Sequence, residues 1–560
     1  MSLQSVITNT QDLTFYARLN EGANLDGTSI SGFNCVDEVS NGTMHPVGNS
    51  NIQNYSFDNS PICDRHTGRS FCVSPNGFPS PTTPTNQDCA YLELEDSVLV
   101  FPFIQGGLQS FSIECTIGYT KTSNNNAHLS DQSKTLIHRQ GLIDLSASVY
   151  NTDGSIQALT IVWPTGSSRS KSMSLPVQSH VLVTWSCLPN STVYDCVGKV
   201  YINGQELTEL TLTTSITARP TITSNSTFFL GRPSTIASNL YKWVTPIYIS
   251  DIAIYNKALS TTELSKRLEL LFNFETLLSK LACTTYNNFT DYNTSGYYEA
   301  QIGSADFYVY GANTINQSIG LSNWRGSTID PICINTGLGA IELESCSLPE
   351  SSTLLISLIP LSHGFCLDHS GDNYPYDGLS INIQNTNTTI KITNTISTEL
   401  SNADYNIALG SVVSIGLIRS SSLIKLYVNG TLALSKPWST SVLSGELRIG
   451  AVYKNGSNSN CKILEYIYFA RTLATYLFSL INNYGACYKI TGVTVEQGYP
   501  TSCKIRVYDS ASGELLQTSA SDELGNYTLY FGTPNQVDLM VIASNSNRAR
   551  ALINLTPTIG

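Results

Sequence analysis

Long hydrophobic runs are missing from this chain of 560 residues. No apolar stretch approaches the ~18 residues that a membrane-spanning helix needs, so no membrane span is predicted. The N-terminal residues 1–5, Met-Ser-Leu-Gln-Ser, provide neither a basic start nor an apolar core, and no signal peptide is expected. We therefore expect a protein that is made in the cytoplasm without an export signal.

Charge is the second scarcity. Only 13% of the residues are charged, and the formal net charge is −12. No cluster of Lys or Arg offsets this negative charge, which repels a phosphate backbone. Nucleic acid is therefore excluded as an expected partner.

Closely spaced cysteines are also lacking. The fourteen cysteines include no Cys-x-x-Cys pair, and this argues against a zinc site. Cys115 alternates with apolar residues and is interpreted as a small buried side chain. Cys187 and Cys196 flank a predicted hairpin loop. A disulfide between them stays open as an alternative to free thiols if the protein meets an oxidising medium.

Polar residues of small and medium size are abundant instead. Ser, Thr, Asn and Tyr are numerous, long helical patterns are few, and polar residues alternate with apolar ones along many segments. This composition favours strands and turns, so an all-β fold is predicted. A chain of this length is too long for one core and predicts several domains.

One stretch of the chain occurs twice. The strand at 199–204, Lys-Val-Tyr-Ile-Asn-Gly, ends in the dipeptide that favours a type I′ hairpin turn, and it returns at 425–430 as Lys-Leu-Tyr-Val-Asn-Gly. Matching segments surround both copies. Their separation falls steadily, from 249 residues between Tyr91 and Ala340 to 214 between Tyr255 and Phe469. An ordered decline indicates a shortened second copy of one domain.

The first copy carries motifs of a known family. In order along the chain these are F-S-I-E (111–114), V-L-V-T-W (181–185), V-Y-I-N-G (200–204), F-L-G (229–231) and I-S-D-I-A-I-Y-N-K-A-L-S (249–260). This series resembles the laminin-G/concanavalin A-like jelly-roll domain. The resemblance is strong over about 13–270 and weaker over about 305–484, because residues 471–474 lack the Asp and part of the turn.

The last seventy residues carry a different pattern. R-V-Y-D-x-x-S-G-E-L-L at 506–516 and D-x-x-G-N-Y-T-L at 522–529 resemble the small carboxypeptidase-regulatory-like or Ig-like domain often found at the C-terminus of bacteriophage tail and virion proteins. The predicted fold class is thus all-β, with two concanavalin A-like jelly-roll sandwiches in tandem and a small C-terminal Ig-like β-sandwich. The predicted domains are jelly roll 1 at 1–272, a helical linker at 273–300, jelly roll 2 at 301–486 and the C-terminal sandwich at 487–560. Ser260 and the two Thr residues after it predict a capped helix start, and apolar spacing predicts a helix from Thr261 to about Leu281. The turn-rich region that follows the first strand, at 13–19, is expected to be a surface excursion.

Jelly rolls of this kind include glycosidases, which need two carboxylates across the scissile bond. The glucanase branch of this family supplies both from one strand as a Glu-x-Asp-x-x-Glu run, and this sequence has no such run. Glu93 and Glu95 alternate along one strand, as do Glu342 and Glu344, and we interpret them as solvated carboxylates on an outer face. No catalytic residue is predicted, and the protein is expected not to be an enzyme.

Aromatic residues on loops are the candidates for sugar binding, because pyranose rings stack on them. Trp324, Tyr374 and Tyr376 have Pro or Gly neighbours that favour loops, and Trp438 follows Pro437 and suits either a loop or the core. Trp163 and Trp185 lie on alternating strands and are expected in the core. No cofactor is firmly predicted. Calcium is the metal considered, with loop carboxylates as its ligands. These are Asp368, Asp372 and Asp377.

The leading functional hypothesis is a non-enzymatic bacteriophage virion structural protein of tail-fibre or adhesin type that engages host surface glycans through its jelly-roll loops. Its expected partners are other virion proteins, host cell-surface polysaccharide and further copies of itself, and its expected location is the virion. Two alternatives stay open. One is a purely structural baseplate, neck or capsid-decorating component, and the other is a polysaccharide-degrading tailspike.

Overall fold

The structure is a computed structural model that describes most of each predicted sandwich. The described residues are 3–17, 35–36, 43–47, 55–58, 70–73, 91–94, 101–104, 106–119, 133–149, 156–222, 228–230, 247–289, 297–305, 307–310, 314–318, 325, 332–335, 340–369, 379–383, 390–393, 399–403, 409, 412–437, 443–450, 461–484, 487–496, 499–509, 515–521, 526–532, 539–544, 549–555 and 558–559. The chain divides into two compact units, Met1–Asn273 and Phe274–Gly560.

The first unit is built from strands with a helix near each end. Its helices are α1 (Leu3–Thr8) and α2 (Thr261–Leu271), with 3₁₀ turns at Pro102–Ile104 and Thr208–Leu210. Its strands are β1 (Leu13–Ala17), β2 (Cys35–Val36), β3 (Thr43–Val47), β4 (Tyr55–Asp58), β5 (Ser70–Val73), β6 (Tyr91–Leu94), β7 (Phe111–Tyr119), β8 (Ser133–Arg139), β9 (Ile143–Val149), β10 (Ile156–Val162), β11 (Ser168–Ser172), β12 (Gln178–Asn190), β13 (Val193–Ile202), β14 (Gln205–Glu206), β15 (Leu212–Ile216), β16 (Phe228–Leu230) and β17 (Ile247–Tyr255).

These strands form two antiparallel sheets. One sheet has the order β14-β13-β12-β7-β17-β5-β4, with β1 added beside β17 and β15 beside β13. The other has the order β11-β10-β9-β8-β16-β6-β3-β2. The apolar side chains of both sheets join in one buried cluster, as in a sandwich whose strands alternate inward and outward. Strand β7 is buried at every residue, which shows that both of its faces are covered.

The described part of the second unit contains two helices and many strands. Its helices are α3 (Phe274–Lys280) and α4 (Thr475–Asn483). Its strands are β18 (Thr285–Asn287), β19 (Tyr297–Tyr298), β20 (Phe307–Tyr310), β21 (Thr314–Ser318), β22 (Ile332–Asn335), β23 (Ala340–Leu348), β24 (Ser352–Pro360), β25 (Gly364–His369), β26 (Leu379–Ile383), β27 (Ile390–Thr393), β28 (Glu399–Ala403), β29 (Val413–Ser420), β30 (Leu423–Val428), β31 (Thr431–Pro437), β32 (Leu443–Ile449), β33 (Cys461–Phe469), β34 (Cys487–Val493), β35 (Val495–Glu496), β36 (Tyr499–Pro500), β37 (Lys504–Asp509), β38 (Leu515–Ala520), β39 (Asn526–Gly532), β40 (Leu539–Ser544), β41 (Ala549–Leu555) and β42 (Thr558–Ile559).

The second unit repeats the two-sheet plan and adds a smaller part. One large sheet has the order β21-β22-β33-β24-β29-β30-β31, with β18 beside β33, and the other has the order β19-β20-β23-β32-β25-β26-β27-β28. After β33 and α4, the C-terminal strands form sheets in the orders β39-β34-β42, β35-β36 and β38-β37-β40-β41. The predicted all-β class, with tandem sandwiches and a small C-terminal sandwich, is confirmed.

The Asn-Gly turns form the predicted hairpins in both copies. Asn203 and Gly204 join β13 to β14 with φ angles of 49° and 80°, and Asn429 and Gly430 join β30 to β31 with 49° and 75°. The side-chain oxygen of each Asn accepts a hydrogen bond from a backbone N–H of the adjacent strand. The donor is His180 for Asn203, at 2.8 Å, and Ser414 for Asn429, at 2.9 Å. Asn tolerates positive φ and supplies this acceptor, so the turn is doubly specified.

Three local predictions need correction. The single helix expected from Thr261 to about Leu281 is interrupted between α2 and α3. The predicted linker 273–300 is not helical throughout, because β18 already pairs with β33 of the second sandwich. The turn-rich region after β1 is not only a surface excursion, since β2–β5 extend both sheets at their edges. The outermost strands, β2 and β4, need only one partner each, so short segments suffice there.

The helices are too short or too polar to cross a bilayer. Within the described ranges, no helix has the length and apolar character of a membrane span.

Candidate functional site

Most of the residues predicted to bind a ligand lie outside the described part of the chain. These are Trp324, Tyr374, Tyr376, Trp438, Asp372 and Asp377. Asp368 is within it and lies on strand β25, where its backbone register places it opposite both Ser380 and Arg448. Asp368 is therefore part of a paired strand. Among the described residues, no group of three or more His, Cys, Asp or Glu could hold a metal ion, and the calcium site stays a prediction.

The two tryptophans expected in the core are there. Trp163 and Trp185 are 2% and 0% exposed, and their rings stack at a centroid distance of 6.0 Å. Trp163 Nε1 donates to the Leu210 carbonyl at 3.0 Å. Neither ring is available as a sugar-binding platform.

The first sandwich contains a buried charged cluster between β7 and α2. Glu114 accepts from Arg267 Nε at 2.8 Å, lies 3.0 Å from His180 Nε2, and accepts from the Tyr255 hydroxyl. Arg267 also donates to Thr10 and to the Tyr255 oxygen, at 3.1 and 2.9 Å. Since β7 places Phe111, Ile113 and Cys115 in the core, its alternate residues face α2.

Electrostatics hold this cluster in a charged state. Burial by itself would raise the pKa of Glu114. The Arg267 guanidinium and His180 outweigh this effect and lower the pKa from an ordinary 4.5 to about 2. Burial, then Glu114, raise the pKa of Tyr255 well above its usual value. Glu114 is thus an ionised acceptor at neutral pH. The cluster anchors α2 and does not provide the proton-donating carboxyl that glycoside hydrolysis requires.

The second sandwich contains a different buried cluster near the end of α4. Arg325 Nε lies 3.1–3.2 Å from both carboxylate oxygens of Glu465, and its Nη1 donates to the carbonyls of Ile481, Asn482 and Tyr484 at 2.5–3.0 Å. The last carbonyls of a helix have no partner within the helix, so this arginine caps α4 from a remote segment. Its neighbour Trp324 is the sequence candidate for sugar binding, and the sequence did not predict that Arg325 caps a helix.

A polar and aromatic row crosses the outer face of the second sandwich. We call it the Tyr–Arg row. It consists of Tyr297 on β19, Tyr308 on β20, Glu342 on β23 and Arg448 on β32, each the register partner of the next. The adjacent residues along these strands lie in the core cluster, so the row faces away from the core. The core neighbours are Tyr298, Phe307, Ile341, Leu343, Leu447 and Ile449.

The row combines ring faces with an ion pair. Tyr297 and Tyr308 are half-buried, with ring centroids 5.6 Å apart and planes inclined at 49°. Arg448 Nε donates to the Glu342 carboxylate at the next position of the row. Glu342 is 4% exposed, so its interpretation as a solvated carboxylate was wrong. The cross-strand arginine compensates the burial of its charge.

Sequence reasoning missed this row for a definite reason. The sequence shows the alternation that puts these side chains on the outer faces of their strands. They are Tyr297, Tyr308, Glu342 and Arg448. The order β19-β20-β23-β32 that makes them neighbours is not visible in the sequence, since β23 and β32 are separated by nearly one hundred residues of chain. Predicting the cross-strand pair of Glu342 and Arg448 requires knowledge of the register between β23 and β32.

Comparisons with known proteins give distant structural similarity. No family model matches the sequence, and no curated protein is significantly similar to it. Domain 4 of AbnA, a GH43 extracellular arabinanase from Geobacillus stearothermophilus solved in complex with arabinotriose, is 13% identical at a TM-score of 0.28, covering 36% of this chain and 98% of that domain. The binding domain of botulinum neurotoxin DC in complex with SialylT is 11% identical at 0.28, covering 82% and 94%. The binding domain of serotype C1 is 10% identical at 0.29, covering 81% and 94%. At these TM-scores we draw no functional argument from them.

Proposed function

We propose that this chain is a non-enzymatic, glycan-binding structural protein of a bacteriophage virion, of tail-fibre or adhesin type. The single observation that supports glycan binding is the Tyr–Arg row on the second sandwich. The virion assignment is supported by the resemblance of residues 487–560 to C-terminal domains of phage tail and virion proteins.

The chemistry of the row suits a carbohydrate. A sugar presents an apolar ring face and a rim of hydroxyl groups, so its site needs an aromatic surface beside fixed polar groups. Tyr297 and Tyr308 supply the aromatic surface, and Arg448 supplies the polar group beside it, held in a fixed orientation by the buried Glu342. Because Arg448 is already engaged by Glu342, it offers no free positive charge, and the row suits hydroxyl recognition better than capture of an anionic ligand.

The loop residues predicted from the sequence extend this proposal. Trp324, Tyr374, Tyr376 and Trp438 would provide further stacking surfaces. Asp372 and Asp377 would hold calcium together with Asp368, which lies near the end of β25. These assignments rest on residue type and on neighbouring Pro or Gly residues.

Binding to the surface polysaccharide of the host tests the proposal. We expect the purified full chain to bind it in a glycan array or by titration calorimetry, and Tyr308→Ala to weaken binding about tenfold, or about 1.4 kcal/mol. Tyr308→Phe keeps the ring and should bind nearly as the parent does. Leu432→Ala removes an exposed apolar side chain from the opposite sheet and is the matched control.

Other outcomes favour the alternatives. Absence of binding to any host surface polysaccharide, with normal incorporation into particles, would refute the adhesin proposal and favour a purely structural baseplate, neck or capsid-decorating role. Release of reducing ends from the polysaccharide would favour a tailspike and refute the non-enzymatic assignment. Cryo-electron microscopy of the particle would locate the chain and give its copy number.

A further inference from the structure

The end of the β12–β13 hairpin carries two facing cysteines. We propose that Cys187 and Cys196 form an intramolecular disulfide once the protein meets an oxidant, which makes this pair a covalent modification site of the first sandwich. The inference concerns the folded chain alone and is independent of the proposed glycan binding.

The backbone already has the geometry that the bond requires. Cys187 and Cys196 are direct register partners in the antiparallel β12–β13 ladder, and their Sγ atoms are 3.2 Å apart. Opposed residues in such a ladder have Cα atoms about 4.5 or 5.5 Å apart, and both values lie within the ~4.4–6.8 Å window of disulfides. Closing the bond therefore needs small side-chain rotations and no slip of the strands.

The surroundings of the two thiols control how fast they react. Both thiols are free and buried in the core cluster. Cys187 lies two residues along β12 from the stacked Trp185. Burial and the adjacent Cys187 thiol raise the pKa of Cys196 to about 12, so the neutral thiol persists at pH 7 and direct reaction is slow. Leu188 beyond the pair is 59% exposed at the hairpin tip. Fraying of that tip gives an oxidant its route.

The reaction balances with a small-molecule disulfide as oxidant. The thiolate of one cysteine attacks a sulfur of the small disulfide, which forms a mixed disulfide and releases one small thiolate. The thiolate of the second cysteine then displaces the second small thiolate. The protein loses two protons and two electrons, and the small disulfide is reduced to two thiols. Reducing cytoplasm keeps the pair as thiols, whereas release into an oxidising medium permits the bond.

Peptide mass spectrometry tests the inference on the full chain. The protein is incubated with oxidised glutathione, denatured in an alkylating agent and digested with trypsin. No Lys or Arg lies between Lys171 and Lys199, so both cysteines fall in the peptide 172–199. We expect this peptide to lose two hydrogens and to escape alkylation. The thermal transition of the first unit should rise by about 5 °C and fall back with reductant.

Controls separate this pair from other thiols. Cys115, buried on β7, should stay a free thiol during oxidation and should therefore be alkylated in the denaturing step. Cys187→Ala and Cys196→Ala should each abolish the redox-dependent shift of the transition. Recovery of a peptide alkylated at both Cys187 and Cys196 after prolonged oxidation would overturn the inference, as would linkage of either residue to another cysteine. The mass measurement on the unmodified chain does not depend on whether the variants fold.

Discussion

The two large sandwiches attach a helix at the same place by different means. In each, the last core strand, β17 or β33, leads into a helix, α2 or α4. Ser112 accepts the N–H of Leu259 before α2, at 2.8 Å, and Thr353 accepts the N–H of Leu473 before α4, at 3.0 Å. Both hydroxyls also donate to a carbonyl two residues earlier in that connection. The hydrogen bonds that set the path of the backbone are therefore repeated.

The charged contacts are not repeated. In the first sandwich the arginine belongs to the helix, because Arg267 of α2 reaches Glu114 on β7. In the second, Arg325 comes from a distant segment, pairs with Glu465 on β33 and caps the end of α4. The start of each helix differs as well. Ser260 and Glu263 form a capping box at α2, whereas Ala474 provides no side-chain cap at α4.

The two copies differ in side-chain size at one strand position and at one helix position. Leu182 on β12 and Gly416 on β29 occupy the same register position, opposite Tyr201 and Tyr427 respectively. The fourth residue after the N-cap is Leu264 in α2 and Phe478 in α4. The Phe478 ring lies against Gly416 and 4.7 Å from the Tyr427 ring. One fold thus accommodates either two medium residues or a glycine with a large aromatic residue.

The largest effect is expected from removing Arg325. Arg325→Leu leaves the buried Glu465 carboxylate without its counter-ion and removes the donor to two carbonyls of α4 and to that of its C-cap, Tyr484. We expect it to destabilise the second unit by about 5 kcal/mol. Arg267→Leu should cost the first unit about 3 kcal/mol, because it deprives only one carbonyl, that of Glu263, in addition to Glu114. Urea denaturation measures both, and hydrogen exchange assigns each loss to its unit. Equal losses would contradict the capping role of Arg325.

Acid should weaken the first sandwich through Glu114. Its folded pKa of about 2 lies below the ordinary 4.5, so its stabilising contribution is complete above pH 4.5 and is lost as pH falls toward 2. The expected loss is about 3 kcal/mol. In Glu114→Gln, already less stable at pH 7, this part of the pH dependence should vanish. Thermal unfolding between pH 2 and 6 measures it, and parallel curves for the two proteins would refute the prediction.

The exchange of volumes predicts a smaller, reversible effect. A Cβ atom at Gly416 would lie 2.0 Å from the Phe478 ring, so Gly416→Leu should destabilise the second unit by about 2–3 kcal/mol through overpacking. Adding Phe478→Leu reproduces the residue pair of the first sandwich and should restore at least half of the loss. A double-mutant cycle by urea denaturation measures the coupling. A double variant no more stable than Gly416→Leu would mean that the two positions do not compensate.

Much of the scaffold could be predicted without coordinates. The all-β class followed from composition and alternation, and the Asn203-Gly204 and Asn429-Gly430 turns from residue type alone, because few residues adopt positive φ. The capped start of α2 followed from Ser260 and its neighbours. The break between α2 and α3 was not foreseen, because apolar spacing continues across it.

The candidate site was much less accessible from the sequence. The predicted ligand residues were chosen because Pro and Gly mark loops, a local signal that says nothing about which loops meet. The Tyr–Arg row lies instead on strands. Glu342 was expected in solvent because its strand alternates, and the structure buries it against Arg448 on a strand far along the chain.

By itself, the sequence determined the elements that depend on neighbouring residues: strand period, hairpin turns, the helix cap and the doubling of one domain. Only the tertiary structure decided which strands became neighbours. It thereby decided that Tyr297, Tyr308, Glu342 and Arg448 form one row, that Arg325 caps α4, and that Cys187 meets Cys196 thiol to thiol. The physical reason is that local conformation is set by backbone sterics and alternation. Register between distant strands is set by the burial of side chains from the whole sandwich.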